Sequence, residues 1–105
     1  MDKKKFHNTL KFLTQARKAG KQTGYNPIKL NLADDGIHKL QYETPEGKII
    51  KFGRLGYGDF IYYKEFDKNI ADEKRRLYRA RATKIKGDWK KNKYSKNNLA
   101  INILW

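Results

Sequence analysis

The sequence predicts a small α+β fold: one antiparallel β-sheet built on a hairpin at 37–53, with an N-terminal helix, a basic helix at 70–86 and a short C-terminal helix on one side of it. Three observations lead there. Apolar residues recur at helical spacing towards both ends of the chain, they alternate in the middle, and Gly, Pro, Asn and Asp separate the two regimes. With 105 residues, one basic domain spanning 1–105 is expected, its core large enough to fold alone with little to spare.

Residues 2–19 read as a single amphipathic helix. Phe6, Leu10 and Leu13 fall at i, i+4 and i+7, Ala16 continues the face, Asp2 can cap the start, and Gly20 can end it after Arg17 and Lys18. The other face carries Lys3, Lys4, Lys11 and Lys18, spaced rather than clustered, which reads more simply as a solvated face than as a second polyanion-binding helix. After a loop at 21–26 the period changes: Ile28, Leu30 and Leu32 alternate with Lys29 and Asn31 as a half-buried strand, and Asp34-Asp35-Gly36 turns the chain.

The next turn, Thr44-Pro45-Glu46-Gly47, specifies a register. A type I turn with Gly47 in the left-handed region closes a three-residue loop, setting Thr44 opposite Lys48, Tyr42 opposite Ile50 and Leu40 opposite Phe52. Leu40, Tyr42, Ile50 and Phe52 then share one face, and Gln41, Glu43, Ile49 and Lys51 the other. Gly53 to Asp59 holds three glycines, but the spacing GxxGxG lacks the Gly-Lys-Ser/Thr of a phosphate loop, so it reads as a link where backbone passes close to a neighbour. Phe60 to Phe66 is aromatic and β-prone, a further short strand or an ordered crossing segment. Asn69 can cap the helix at 70–86, with Tyr78, Ala82 and Ile85 inward, Leu77 beside them, and Arg75, Arg76, Arg79 and Lys86 on the exposed side. Ser95 can cap a helix at 96–104 with Leu99, Ala100, Ile103 and Leu104 inward and Asn97, Asn98 and Asn102 turned away; so short a helix must dock on the core or on another chain.

Charge is the dominant chemical signal. Lys74 to Lys96 contains eleven basic residues (Lys74, Arg75, Arg76, Arg79, Arg81, Lys84, Lys86, Lys90, Lys91, Lys93 and Lys96) against one acid, Asp88, in a chain whose net charge is +14. Such a concentration repels itself unless counter-charge is near. Tyr78, Trp89 and Tyr94 are interspersed, and cations beside flat rings suit an anionic partner with stackable groups. The anion-binding candidates are these cations from Lys74 to Lys93; the docking candidates are Trp89, Tyr94, Leu99, Ile103 and Trp105.

Other chemistries find little support. The absence of cysteine excludes disulfides, thiolate metal sites and cysteine nucleophiles. Neither a signal peptide nor a membrane span is expected: the N-terminal stretch is charged without an apolar h-region, and no apolar run approaches ~18 residues. His7 and His38 are far apart and read as surface or edge residues. Asp34 or Asp35 followed by Glu46-Gly47-Lys48 loosely matches a magnesium-nuclease pattern, but Glu46 falls at a turn tip, away from a central strand. No enzyme activity, metal or cofactor is expected. Recognition elements for specific bases are missing too, so nucleic acid would be held by its backbone.

The segments Gly47-Lys48-Ile49-Ile50-Lys51-Phe52-Gly53, Tyr57-x-Asp59-Phe60, Glu73-Lys74-Arg75-Arg76-Leu77-Tyr78-x-Ala80-Arg81, and Tyr94-Ser95-x-Asn97-Asn98-Leu99-Ala100 to Leu104-Trp105 together resemble a group of small basic proteins encoded by giant and other large double-stranded DNA viruses. The resemblance spans residues 40–105 and is distinctive in the C-terminal half. It implies a viral origin and a place in the virion, or in the host cytoplasm or nucleus during infection; it implies no enzyme and brings no assigned binding residues. Two functions follow as expectations. The first is a minor capsid or virion component docking on acidic surfaces of larger structural proteins through its basic helix and apolar tail. The second is a sequence-independent binder of DNA or RNA backbone.

Overall fold

The computed structural model describes residues 2–85 and 92–105, with backbone alone at 83–85. Asp2 opens α1 (Lys3–His7) by accepting the Lys4 N–H at 2.9 Å. The single helix expected over 2–19 is two. Thr9 caps α2 (Leu10–Gln22): its hydroxyl accepts the Phe12 N–H at 3.2 Å and donates to the Phe6 carbonyl at 2.7 Å. This break changes what is inside. Phe6, His7, Phe12, Leu13 and Ala16 are buried, whereas Leu10, which a straight helix would bury between Phe6 and Leu13, is 77 % exposed. Gly20 lies within α2 rather than at its end. The stop is a Schellman arrangement beyond Thr23, in which the Tyr25 N–H returns to the Gly20 carbonyl at 2.8 Å and the Gly24 N–H to Lys21 at 3.3 Å.

β1 (Leu30–Leu32), β2 (His38–Glu43) and β3 (Ile49–Arg54) form an antiparallel meander in that order. Ile28 is outside it and 79 % exposed. Asn26 accepts the Ile28 N–H, Pro27 presets a helical φ, and together they wind 27–29 into a 3-10 turn instead of extending the strand. The hairpin has the register its turn predicts: Leu40 pairs with Phe52 and Tyr42 with Ile50, Gly47 adopts φ +86°, and the Thr44 N–H reaches the Lys48 carbonyl at 2.8 Å.

The glycine-rich stretch allows a close approach. Gly53 has φ +71°, and a Cβ there would lie 2.7 Å from Leu104 Cδ1 and 3.2 Å from Lys39 Cδ. Gly53→Ala is therefore expected to destabilise the fold by about 2–4 kcal/mol, combining left-handed strain with overpacking. A urea titration checks this, and a loss under about 0.5 kcal/mol, the scatter of neutral surface changes, would refute the contact.

Residues 60–66 are not a strand. Asp59 caps α3 (Phe60–Lys64), its Oδ1 accepting the Tyr62 N–H at 2.8 Å, and the cap together with burial of Phe60 and Ile61 outweighs local β-propensity. Asp67 rather than Asn69 starts α4 (Lys68–Ile85), accepting the Asn69 N–H at 2.8 Å. Ser95 caps α5 (Lys96–Leu99) as expected, its hydroxyl 3.1 Å from the Asn98 N–H, but the chain then widens into a π-helical turn at Ala100–Leu104. The wider turn buries Leu99, Ile101, Ile103 and Leu104 together. It also draws asparagines inward against expectation: Asn98 is buried and donates to the Asn92 carbonyl at 3.0 Å, and Asn102 donates to the Tyr25 hydroxyl at 3.2 Å and to Asn98 Oδ1. The core is one cluster in which the sheet face (Leu30, Leu40, Tyr42, Phe52), Phe12 and Ala16 of α2, and Leu99, Ile103 and Leu104 pack together.

Candidate functional site

α4 presents its inner ridge at i, i+4, i+7 and i+11: Ala71 is fully buried, and Arg75, Tyr78 and Ala82 are half-buried. Ala71 and Arg75 thus join the predicted stripe, and Leu77 leaves it, being 51 % exposed. Arg75 is held rather than free: its guanidinium carbon lies 3.5 Å above the centroid of the Phe60 ring. Lys64 approaches the same ring at 5.5 Å. One turn on, Tyr78 stacks on Trp105 with centroids 4.5 Å apart and planes 10° apart, and Arg81 sits 5.8 Å from the Tyr78 ring.

Two depressions flank Trp105. The larger, about 500 Å³, lies between α2 and α4 and is rimmed by Lys18, Lys64, Arg75 and Arg79 over Ile61, Ile103 and Trp105. The smaller, about 250 Å³, is bounded by Lys39, Arg54, Tyr78, Arg81 and Trp105. No acidic side chain lines either one among the described residues. Burial pushes the Arg75 guanidinium below its ordinary pKa and the Arg79 charge adds to this, against a smaller opposing effect of Asp72. Its Nε is a buried donor without an acceptor among the described residues. Nearby acids are engaged elsewhere: Glu65 pairs with Lys11 at 2.6 Å and Asp72 with Lys68 at 3.2 Å.

The predicted anion-binding set divides. Arg75 and Arg79 rim the larger depression and Arg81 the smaller, so Arg75 faces a groove rather than the exposed side. Lys74 lies 5.6 Å from the Tyr63 ring. Arg76 forms a two-point pair with Glu73 at 2.7 and 3.2 Å, which in open water is worth little. Lys93 is a structural strut: its Nζ donates to the Gly24 carbonyl at 2.6 Å and lies 5.1 Å from the Tyr25 ring. The Lys84 side chain and all of Lys86, Trp89, Lys90 and Lys91 lie outside the described residues.

Of the predicted docking residues, Leu99 and Ile103 belong to this chain's own core, at 0 % and 2 % exposure; Leu99 offers nothing to a partner, and Ile103 only the edge that floors the larger depression. Tyr94 is half-buried and stacks on Tyr42 at 5.8 Å. Among the described docking candidates, Trp105 lines both cationic depressions. Lys18, Lys64 and Arg54 complete the two rims, and nothing in the linear pattern marks them, since they come from α2, α3 and β3.

A buried ionic cluster is the other surprise. His7, expected at the surface, is fully enclosed, with Phe12 packed edge-on at 4.6 Å. Asp59 Oδ2 is 2.8 Å from His7 Nε2 and 2.8 Å from Lys39 Nζ. A carboxylate only accepts, so Nε2 carries the hydrogen. Burial works to raise the Asp59 pKa, but the His7 hydrogen bond and the Lys39 charge outweigh it and hold the carboxyl below its ordinary value. Burial lowers the Lys39 pKa against the pull of Asp59. Side-chain exposures of 0 to 3 % leave no room for a substrate, so the cluster ties α1, β2 and α3 together.

The nuclease-like carboxylates do not converge. Asp35 accepts the Ile37 and His38 N–H groups and faces His38 Nδ1 at 2.6 Å; its pKa is lowered, chiefly by the His38 backbone bond. Asp34 pairs with Lys51 at 2.9 Å, and Glu46 is exposed at the turn tip. Among the described residues no helix is long and apolar enough to cross a membrane. Compared with protein-family models, curated proteins and solved structures, the chain matches none.

Proposed function

We propose that the protein is a non-enzymatic, small basic component of a large-DNA-virus particle that binds nucleic-acid backbone without reading sequence. The carrying observation is the pair of depressions either side of Trp105, which gather Lys18, Lys64, Arg75, Arg79, Arg54 and Arg81 with no acidic side chain lining them among the described residues. Cations held close together lower their mutual repulsion by binding polyanion and releasing its counterions. The viral assignment rests on the sequence resemblance over 40–105.

An acidic surface of a larger virion protein is the second reading, favoured by a different feature. Phe66, Ile70 and Leu77 leave apolar side chains 58 %, 49 % and 51 % exposed beside the cations, which suits a mixed apolar and ionic protein contact. Competition separates the two. Labelled DNA bound at about 150 mM salt is expected to be displaced by unlabelled DNA and not by polyglutamate at equal charge. Equal displacement by polyglutamate would favour the protein partner, as would Ile70→Ser with Leu77→Ser abolishing particle incorporation at unchanged DNA affinity.

A further inference from the structure

The larger depression is amphipathic in a particular way. Its rim is cationic (Lys18, Lys64, Arg75, Arg79) and its floor apolar (Ile103, Trp105). At about 500 Å³ it lies within the usual range for sites that enclose one small organic group. A duplex cannot use such a cavity, because its bases are stacked and paired, showing only their edges in the grooves and no face that could enter a pocket. An unpaired nucleotide can, since it presents a flat apolar base and an anionic phosphate at once. Arg75 supplies a fixed cation at the rim: Phe60 holds its guanidinium plane. Trp105 is likewise fixed, backed by Tyr78.

We propose that the α2/α4 depression receives one unpaired nucleotide of a single strand, its base against Trp105 and Ile103 and its phosphate on Arg75 and the neighbouring cations. This deepens the nucleic-acid reading and rests on it. Arg81 and Arg54, across Trp105, take the adjoining backbone.

The test uses the full chain carrying Trp89→Phe, so that Trp105 is the sole tryptophan emitter, titrated with oligothymidylate and with a duplex of equal length at about 150 mM salt. The single strand is expected to bind about tenfold more tightly than the duplex, as one base stack allows, and to quench Trp105 emission. Arg75→Gln is expected to weaken single-strand binding about tenfold; Lys64→Gln, at an exposed position, gives the same direction should Arg75→Gln fold poorly. Duplex binding as tight as single-strand binding, or unmoved Trp105 emission, would overturn the single-strand site while leaving backbone binding intact. Binding of neither would overturn both.

Discussion

Asp59→Ala is expected to lower the free energy of unfolding by about 3–5 kcal/mol, a large part of what a domain of this size commands. The substitution leaves the Lys39 ammonium buried without a counter-charge, strips the acceptor from His7 Nε2, and removes the α3 cap at Tyr62. Asp59→Asn keeps a cap acceptor and loses the charge, so it isolates the ionic part. Adding Lys39→Met to Asp59→Asn removes the stranded cation and is expected to recover much of the loss, because a buried pair replaced on both sides is far less harmful than one broken on one side. Two single variants that simply add, with no recovery in the double, would contradict a direct pairing.

The same carboxylate gives a pH dependence whose sign is fixed. The Asp59 pKa is lower in the folded chain than its ordinary 3.8, so its contribution is complete above that value and is lost as pH falls below it towards the folded value. Exposed acids also titrate there, hence the readout is the difference between parent and Asp59→Asn, which should narrow as acid is added. Lys39 acts in the same sense but in a different window. Its folded pKa is lowered, so the penalty of burying its charge fades as pH rises towards 10.5.

Leu99→Ala is expected to lose about 2–5 kcal/mol in urea unfolding, the range for a buried leucine emptied into a packed core. Leu99 is at 0 % exposure in the core cluster it shares with the sheet and α2, and Ile103 at 2 % should behave alike. Trp105→Ala should lose less, about 1–3 kcal/mol, since its half-buried ring is held by one stacked neighbour. A near-neutral Leu99→Ala would mean that the last segment docks outward instead of folding back, reviving the protein-docking role its apolar stripe first suggested.

The hairpin was legible because its information is local: Pro45 and Gly47 set a turn, the turn sets a register, and the register agrees with the apolar alternation. Ser95 was legible as a cap for the same reason. The misread elements are those where a side-chain cap competes with a pattern. Thr9 divides a helix whose apolar spacing looks continuous, Asp59 converts an aromatic, β-prone run into α3, and Asp67 starts α4 two residues before the Asn69 cap would allow. The buried cluster was invisible for another reason. His7 meets Asp59 across 52 residues and Lys39 meets it across 20, separations at which no periodicity carries a signal. The candidate site was half legible: Arg75, Arg79 and Arg81 stand out by density, whereas Lys18 looked like one solvated lysine among several until folding set it opposite α4.

Neutralisation of the clustered cations of the two depressions by phosphate is measured directly by the salt dependence of DNA affinity. With about six phosphate contacts on a single strand, log affinity is expected to fall against log salt with a slope of about −4, and the combined Lys18→Gln, Lys64→Gln, Arg75→Gln and Arg79→Gln variant should flatten that slope by about 3. No measurable binding at about 150 mM salt, or the same slope in parent and variant, would contradict it.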